Sequence, residues 1–90
     1  MHNYEIKPWF KKKLIKIFKK DKYLYEKIIK KINEIINSDN VSHYKNLRYN
    51  MKDSKRIHIG PFVLVFNYDK LEDFISFEDF DHHDNIYLRK

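Results

Sequence analysis

The chain has 90 residues, a net charge of +6 and no cysteine. A chain this short buries roughly 60% of its unfolded surface, so its core must be economical. Seven Phe, seven Tyr and one Trp supply much of it, and without cysteine neither disulfides nor thiolate metal sites can support the fold.

The lack of cysteine fits a reducing compartment. No apolar stretch approaches the roughly 20 residues needed to span a bilayer. The start, Met1-His2-Asn3-Tyr4-Glu5, lacks the apolar core of a signal peptide. These features read as a soluble cytoplasmic protein with no membrane partner, folded as one domain over residues 1–90. The charge is unevenly placed. Residues 1–37 hold eleven Lys against four acids, or +7, and residues 38–90 hold eight basic against nine acidic residues, or −1. The excess lies in Lys11-Lys12-Lys13, Lys19-Lys20 and Lys30-Lys31. Such a field attracts polyanions, and Lys on outer helix faces also serves simply to solvate them.

In chain order, Asn3 to Lys7 alternates Tyr4 and Ile6 with polar neighbours, as a short strand does. Pro8 suits the first turn of a helix. From Trp9 to Lys20 the apolar positions Phe10, Leu14, Ile17 and Phe18 fall on one helical face. Asp21 is placed to cap a second helix, whose buried stripe is Leu24, Ile28, Ile32, Ile35 and Ile36. Ser38-Asp39-Asn40 ends it. The period then changes to two. Strands are expected at Tyr44–Arg48, Lys55–Ile59, Phe62–Phe66 and Phe74–Phe80. Between them lie turns at Asn50–Ser54, Gly60-Pro61 and Asp69–Glu72. Phe62-Val63-Leu64-Val65-Phe66 is apolar throughout and reads as a central strand covered on both faces. The order β-α-α-β-β-β-β predicts an α+β fold, with the helical hairpin on one face of a mostly antiparallel sheet and a short C-terminal tail.

Arg56 and His58 are two residues apart and share one strand face, while Ile57 and Ile59 point to the other, hairpin-covered face. His82-His83-Asp84, with Tyr87 behind it, closes the chain. Histidine titrates near neutrality and suits proton transfer. Arginine binds phosphate in a bidentate manner, and an aromatic ring can stack on an unpaired base. A small basic protein with these groups on a strand and on its C-terminal tail looks like a compact ribonuclease, whose groups would sit on one sheet face and act on a phosphodiester.

Several segments carry a family resemblance in combination. They are the opening strand Tyr4-Glu5-Ile6, the Lys-rich hairpin, Tyr44-Lys45-Asn46-Leu47-Arg48, Arg56-Ile57-His58-Ile59-Gly60 running into Phe62-Val63-Leu64-Val65-Phe66, and His82-His83-Asp84-Asn85-Ile86-Tyr87. In this succession the chain resembles the RelE/ParE toxin superfamily of type II toxin–antitoxin systems, and its RelE/YafQ branch more than the gyrase-directed ParE branch. The resemblance implies a toxin that inhibits translation as a ribosome-dependent mRNA endonuclease (an mRNA interferase). It implies no metal and no cofactor, and a cognate antitoxin, the ribosome and mRNA as partners. It marks Arg56, His58, His83 and Tyr87 as catalytic positions; Arg48, Lys52 and His82 rank below them as RNA contacts on their own chemistry. His82 and His83 exchange places on a one-residue change of register, and acid and base cannot be told apart. The chain departs from the family in lacking an Arg near Val63 and an Asp after the Gly-Pro turn. The acidic run Glu78-Asp79-Phe80-Asp81 would oppose RNA phosphate or raise the pKa of a nearby His.

Other readings use the same residues. One is a noncatalytic ParE-like binder on the same fold. Another is a metal site built on His82, His83, Asp84 and His58, without the familiar helical metal spacings. A third is a nucleic-acid-binding module using the basic hairpin, without a helix-turn-helix signature.

Overall fold

The computed structural model describes residues 1–44 and 54–87. Its elements are β1 (Asn3–Ile6), α1 (Pro8–Lys20), α2 (Lys22–Ile36), a 3-10 turn (Val41–His43), β2 (Ser54–Ile59), β3 (Phe62–Asp69), β4 (Phe74–His82) and α3 (His83–Tyr87). The expected α+β architecture is present, with one difference at the C-terminus, where the tail winds into the short helix α3. Of the expected strand Tyr44–Arg48, Tyr44 is an extended residue leaving the 3-10 turn. The rest lies outside the described residues, together with Arg48, Lys52 and most of the turn Asn50–Ser54. Among the described residues no helix is long and apolar enough to cross a membrane.

Local chemistry places the helix ends. Pro8 opens α1, where its missing N–H costs nothing. Lys19 and Lys20 occupy its last turn, next to the negative end of the helix dipole. Asp21 caps α2 by accepting from the Leu24 amide at 3.1 Å.

The sheet runs β1-β4-β3-β2, antiparallel except for β1 against β4, which is parallel. A parallel neighbour requires a long crossover, and the helical hairpin begins that crossover and packs on one face. Phe10 and Leu14 of α1 and Ile28, Ile32, Ile35 and Ile36 of α2 meet Ile59, Leu64, Phe66, Ile75, Phe77 and Phe80 of the sheet. Each fully buried side chain of this size contributes roughly 1.5–3 kcal/mol. Phe18 does not join this face as its spacing suggests. It is 46% exposed and packs edge-on against Tyr25, with the Lys22 ammonium above its ring. A second, smaller cluster of Val63, Val65 and Ile86 lies on the opposite face, under α3. Both faces of β3 are thus covered, as its unbroken apolar run requires.

Two features position the site. Gly60 turns the β2–β3 hairpin with φ of 59°, a left-handed conformation that glycine adopts without strain. A register shift between Val65 and Phe66 pairs Val65 with Asp79 but Phe66 with Phe77. This bulge reverses the alternation of β4. Phe77 and Phe80 therefore both enter the hairpin core, and Asp79 and Asp81 pair with Val65 and Val63 of the other face.

Candidate functional site

Arg56 and His58 of β2 pair with Val65 and Val63 of β3, the residues of the second cluster. They therefore stand on the sheet face away from the hairpin, as their two-residue spacing predicts. Ile57 and Ile59 pack into the hairpin core. α3 folds over the same open face. The His83 amide donates to the Pro61 carbonyl at 2.9 Å, and Ile86 is buried on Val63 and Val65.

This packing brings four of the expected site residues together. The His58 and His83 rings stack with centroids 5.6 Å apart and planes at 26°. His83 and Tyr87 are 4.5 Å apart, and His58 lies nearly parallel to Tyr87 at 6.4 Å. The Arg56 guanidinium sits 5.8 Å from the Tyr87 ring centroid, a cation–π distance. Arg56 Nη1 donates to His58 Nε2 at 3.0 Å. A guanidinium can only donate, so His58 accepts at Nε2 and is neutral. Its pKa is lowered first by burial and then by the positive charges of Arg56 and His83. Asp84 Oδ1 lies 3.5 Å from His83 Nδ1, an ion pair only when His83 is protonated. Arg56 Nε is buried with no hydrogen-bond partner among the described residues.

His82 is directed elsewhere. It ends β4 opposite Phe62 and meets that ring edge-on at 5.9 Å, on the hairpin side of the sheet. Its Nδ1 accepts from the Asp84 amide at 3.2 Å, so the ring caps α3. An amide only donates, so this nitrogen carries no proton, and the 3.9 Å approach of His82 Nδ1 to Asp84 Oδ2 is not an ion pair in this state. Of the two adjacent histidines, His83 is the one the fold turns toward His58 and Tyr87. Among the described residues no three His, Asp or Glu side chains converge as metal ligands would.

The acidic run is engaged from the other side. Lys13 of α1 reaches round β4 past the end of β1. Its ammonium donates to Asp79 Oδ1 at 2.7 Å, the Phe80 carbonyl at 3.2 Å and Asp81 Oδ2 at 3.4 Å. Trp9 Nε1 donates to the Glu78 carbonyl at 2.5 Å on the same edge. Lys13 thus balances the charge of two carboxylates. Composition alone reads Lys13 as one more solvated lysine. The usable signal is its position beside the buried stripe, three residues after Phe10 and one before Leu14.

A helical hairpin behind a four-stranded sheet is the fold of the small RelE/YafQ-type toxins. YafQ from Escherichia coli superposes with a TM-score of 0.70 at 17% identity, over 97% of this chain and 99% of that one. The RelBE2 toxin–antitoxin complex from Mycobacterium tuberculosis contains a chain that superposes with a TM-score of 0.59 at 15% identity, over 91% and 98%. These likenesses concern the fold. No family model matches the chain. In sequence, it is 48% identical over 91 residues to the Methanocaldococcus jannaschii protein named "Putative toxin RelE4", covering 100% of this chain and 95% of that one. It is also 41% identical over 88 residues to an uncharacterized protein of Methanosarcina mazei, covering 97% and 100%. The chain belongs to the RelE/ParE toxin superfamily of toxin–antitoxin systems, in its RelE/YafQ-like branch.

Proposed function

We propose that this toxin is an mRNA interferase, cutting mRNA on the ribosome by metal-independent acid–base chemistry. The reading rests on the convergence of Arg56, His58, His83 and Tyr87 on the sheet face opposite the hairpin. RNA phosphate would draw the Arg56 guanidinium onto its nonbridging oxygens, releasing His58 Nε2. That nitrogen, already unprotonated, takes the proton of the 2′-hydroxyl. The 2′-oxygen attacks phosphorus, and Arg56 balances the charge of the phosphorane. The bond to the 5′-oxygen breaks, and His83 gives that oxygen its proton. The products are a 2′,3′-cyclic phosphate and a 5′-hydroxyl. Tyr87 stacks on the base and holds the 2′-oxygen in line.

A cognate antitoxin is the second partner of this reading, supported by superfamily membership and by the complex in which the RelBE2 neighbour occurs. The test is a primer-extension map of one mRNA with purified protein, with and without translating ribosomes. Discrete cuts that need ribosomes, persist in EDTA-treated protein and vanish in a His58→Ala, His83→Ala double variant are the expected result. No cuts under either condition would overturn the endonuclease reading and leave a noncatalytic binder, to be tried next on gyrase.

A further inference from the structure

The open-face cluster depends on α3, which is only five residues long and cannot hold its own geometry in water. Its attachment to the sheet therefore sets where His83 and Tyr87 stand. The burial of Ile86, the bond from the His83 amide to the Pro61 carbonyl and the carboxylate of Asp81 share that attachment. Asp81 Oδ1 accepts from the His82 amide at 2.8 Å and from Asn85 Nδ2 at 3.0 Å, so it holds the chain on both sides of the first turn. Its other oxygen, Oδ2, faces the Lys13 ammonium at 3.4 Å. Lys13 in turn is held by Asp79 Oδ1 and the Phe80 carbonyl. These contacts use all three donors of the ammonium. The chain of contacts runs from α1, behind the sheet, round the edge of β4 to α3 in front.

We propose that Asp81, held by Lys13, is a positioning residue that sets the pose of His83 and Tyr87 through Asn85 and the first turn of α3. The inference rests on the endonuclease reading for its effect on rate, and on geometry alone for its effect on α3. Asp81 touches no substrate in this scheme. Burial pushes its carboxyl pKa up, but the bonds from Asn85 and the His82 amide and the charge of Lys13 outweigh this, and the net shift is downward. Asp81 therefore stays an anionic acceptor through the neutral range. An edge ion pair that merely stabilised β4 would need Asp79 and the Phe80 carbonyl alone. Oδ1 of Asp81, turned toward Asn85 of α3 while Oδ2 faces Lys13, is what distinguishes an anchor.

The experiment compares Asp81→Ala, Asn85→Ala, Lys13→Met and Lys13→Arg with the parent by ribosome-dependent cleavage rate and by NMR of the free protein. Asn85 is exposed, so its variant reads the anchor even where Asp81→Ala folds poorly. The expected result is a fall in kcat of roughly ten- to hundredfold for Asp81→Ala and Asn85→Ala, the scale of a small misplacement of reacting groups, with KM for ribosomes unchanged. Lys13→Met falls less, and Lys13→Arg restores the parent rate. In the free protein the His83 and Tyr87 ring resonances shift, and amide exchange of Ile86 and Tyr87 speeds up, while β3 amides stay protected. Parent-like kcat in both Asp81→Ala and Asn85→Ala, with a parent that cuts, would overturn the positioning role. If the parent makes no cuts, the endonuclease reading fails separately. The NMR comparison then decides the anchor, and unchanged rings and exchange would overturn it.

Discussion

His58 receives a hydrogen bond from Arg56, Nη1 to Nε2 at 3.0 Å, so the strand holds this imidazole neutral and its basic nitrogen covered until something displaces the guanidinium. Burial, Arg56 and His83 all lower its pKa. The unfolded chain then binds more protons than the folded one between the folded pKa and the ordinary value of about 6.5. Stability at this site is therefore full above about 6.5 and is lost as pH falls through that window. Arg56→Met removes one positive neighbour and should raise the His58 pKa. An NMR titration of the ring protons checks this, and an unmoved midpoint would leave burial and His83 as the causes.

Tyr87 is given a stacking role rather than a proton. Tyr87→Phe keeps the ring and should retain most of the cleavage rate. Tyr87→Ala should lose roughly five- to 150-fold, from about 1–3 kcal/mol of stacking per base. Single-turnover cleavage of a ribosome-bound message separates the two variants. Equal losses would instead assign the hydroxyl a part in proton transfer.

The two hydrophobic clusters should separate function from global stability. Phe77 is fully buried in the hairpin core, and Phe77→Ala should cost about 3–5 kcal/mol in urea unfolding. Ile86 is buried in the small second cluster. Ile86→Ala should release α3 locally, abolishing cleavage while moving the urea midpoint much less. A midpoint shift as large as that of Phe77→Ala would mean that α3 unfolds only with the whole sheet.

His2 supplies a pH-dependent clasp between the N-terminus and the β3–β4 turn. Its Nδ1 meets Asp73 Oδ1 at 2.5 Å and its Nε2 meets the Ser38 carbonyl at 2.6 Å. A carbonyl accepts only, as does an ionised carboxylate, so both ring nitrogens donate and the ring is the imidazolium. Its pKa is raised, first by the Ser38 carbonyl and then by Asp73. That of Asp73 is lowered, first by His2 and then by Tyr68, whose hydroxyl donates to the same oxygen at 3.0 Å. The His2 contribution is full below its unfolded pKa and is lost as pH rises through the raised folded value. The Asp73 contribution is present above the ordinary carboxylate range and is lost as pH falls through the lowered one. His2→Gln should lower Tm by a few degrees near pH 6 and change it little near pH 9. Melting curves across that range check the sign, and a difference that grows with pH would refute the clasp.

Much of this was legible locally. The helical stripes through Phe10 and Leu14 and through Ile28, Ile32, Ile35 and Ile36, the Asp21 cap, the Gly60 turn and the double-sided strand around Leu64 follow from periodicity and turn chemistry. The placement of Arg56 and His58 opposite Ile57 and Ile59 follows from the two-residue repeat of a strand. Phe18 departs from its stripe because it lies at the end of α1, where Tyr25 and Lys22 of the next helix cover it from outside.

Local patterns therefore settle the kind of β1 to β4, α1 and α2 and the facing of β2, since these depend on neighbours a few residues away, but neither α3 nor the facing of β4 beyond its bulge. The tertiary structure decided which histidine joins the site. His82 and His83 are equivalent in composition, and only the turn from β4 into α3, anchored by Asp81 and buried at Ile86, sends His83 to His58 and His82 to Phe62. It also decided that the acidic run faces Lys13 rather than an open groove. A one-residue bulge in β4, made by pairing with β3, reverses the facing of every residue after it. Such pairing joins residues distant in the chain, and no local pattern encodes it.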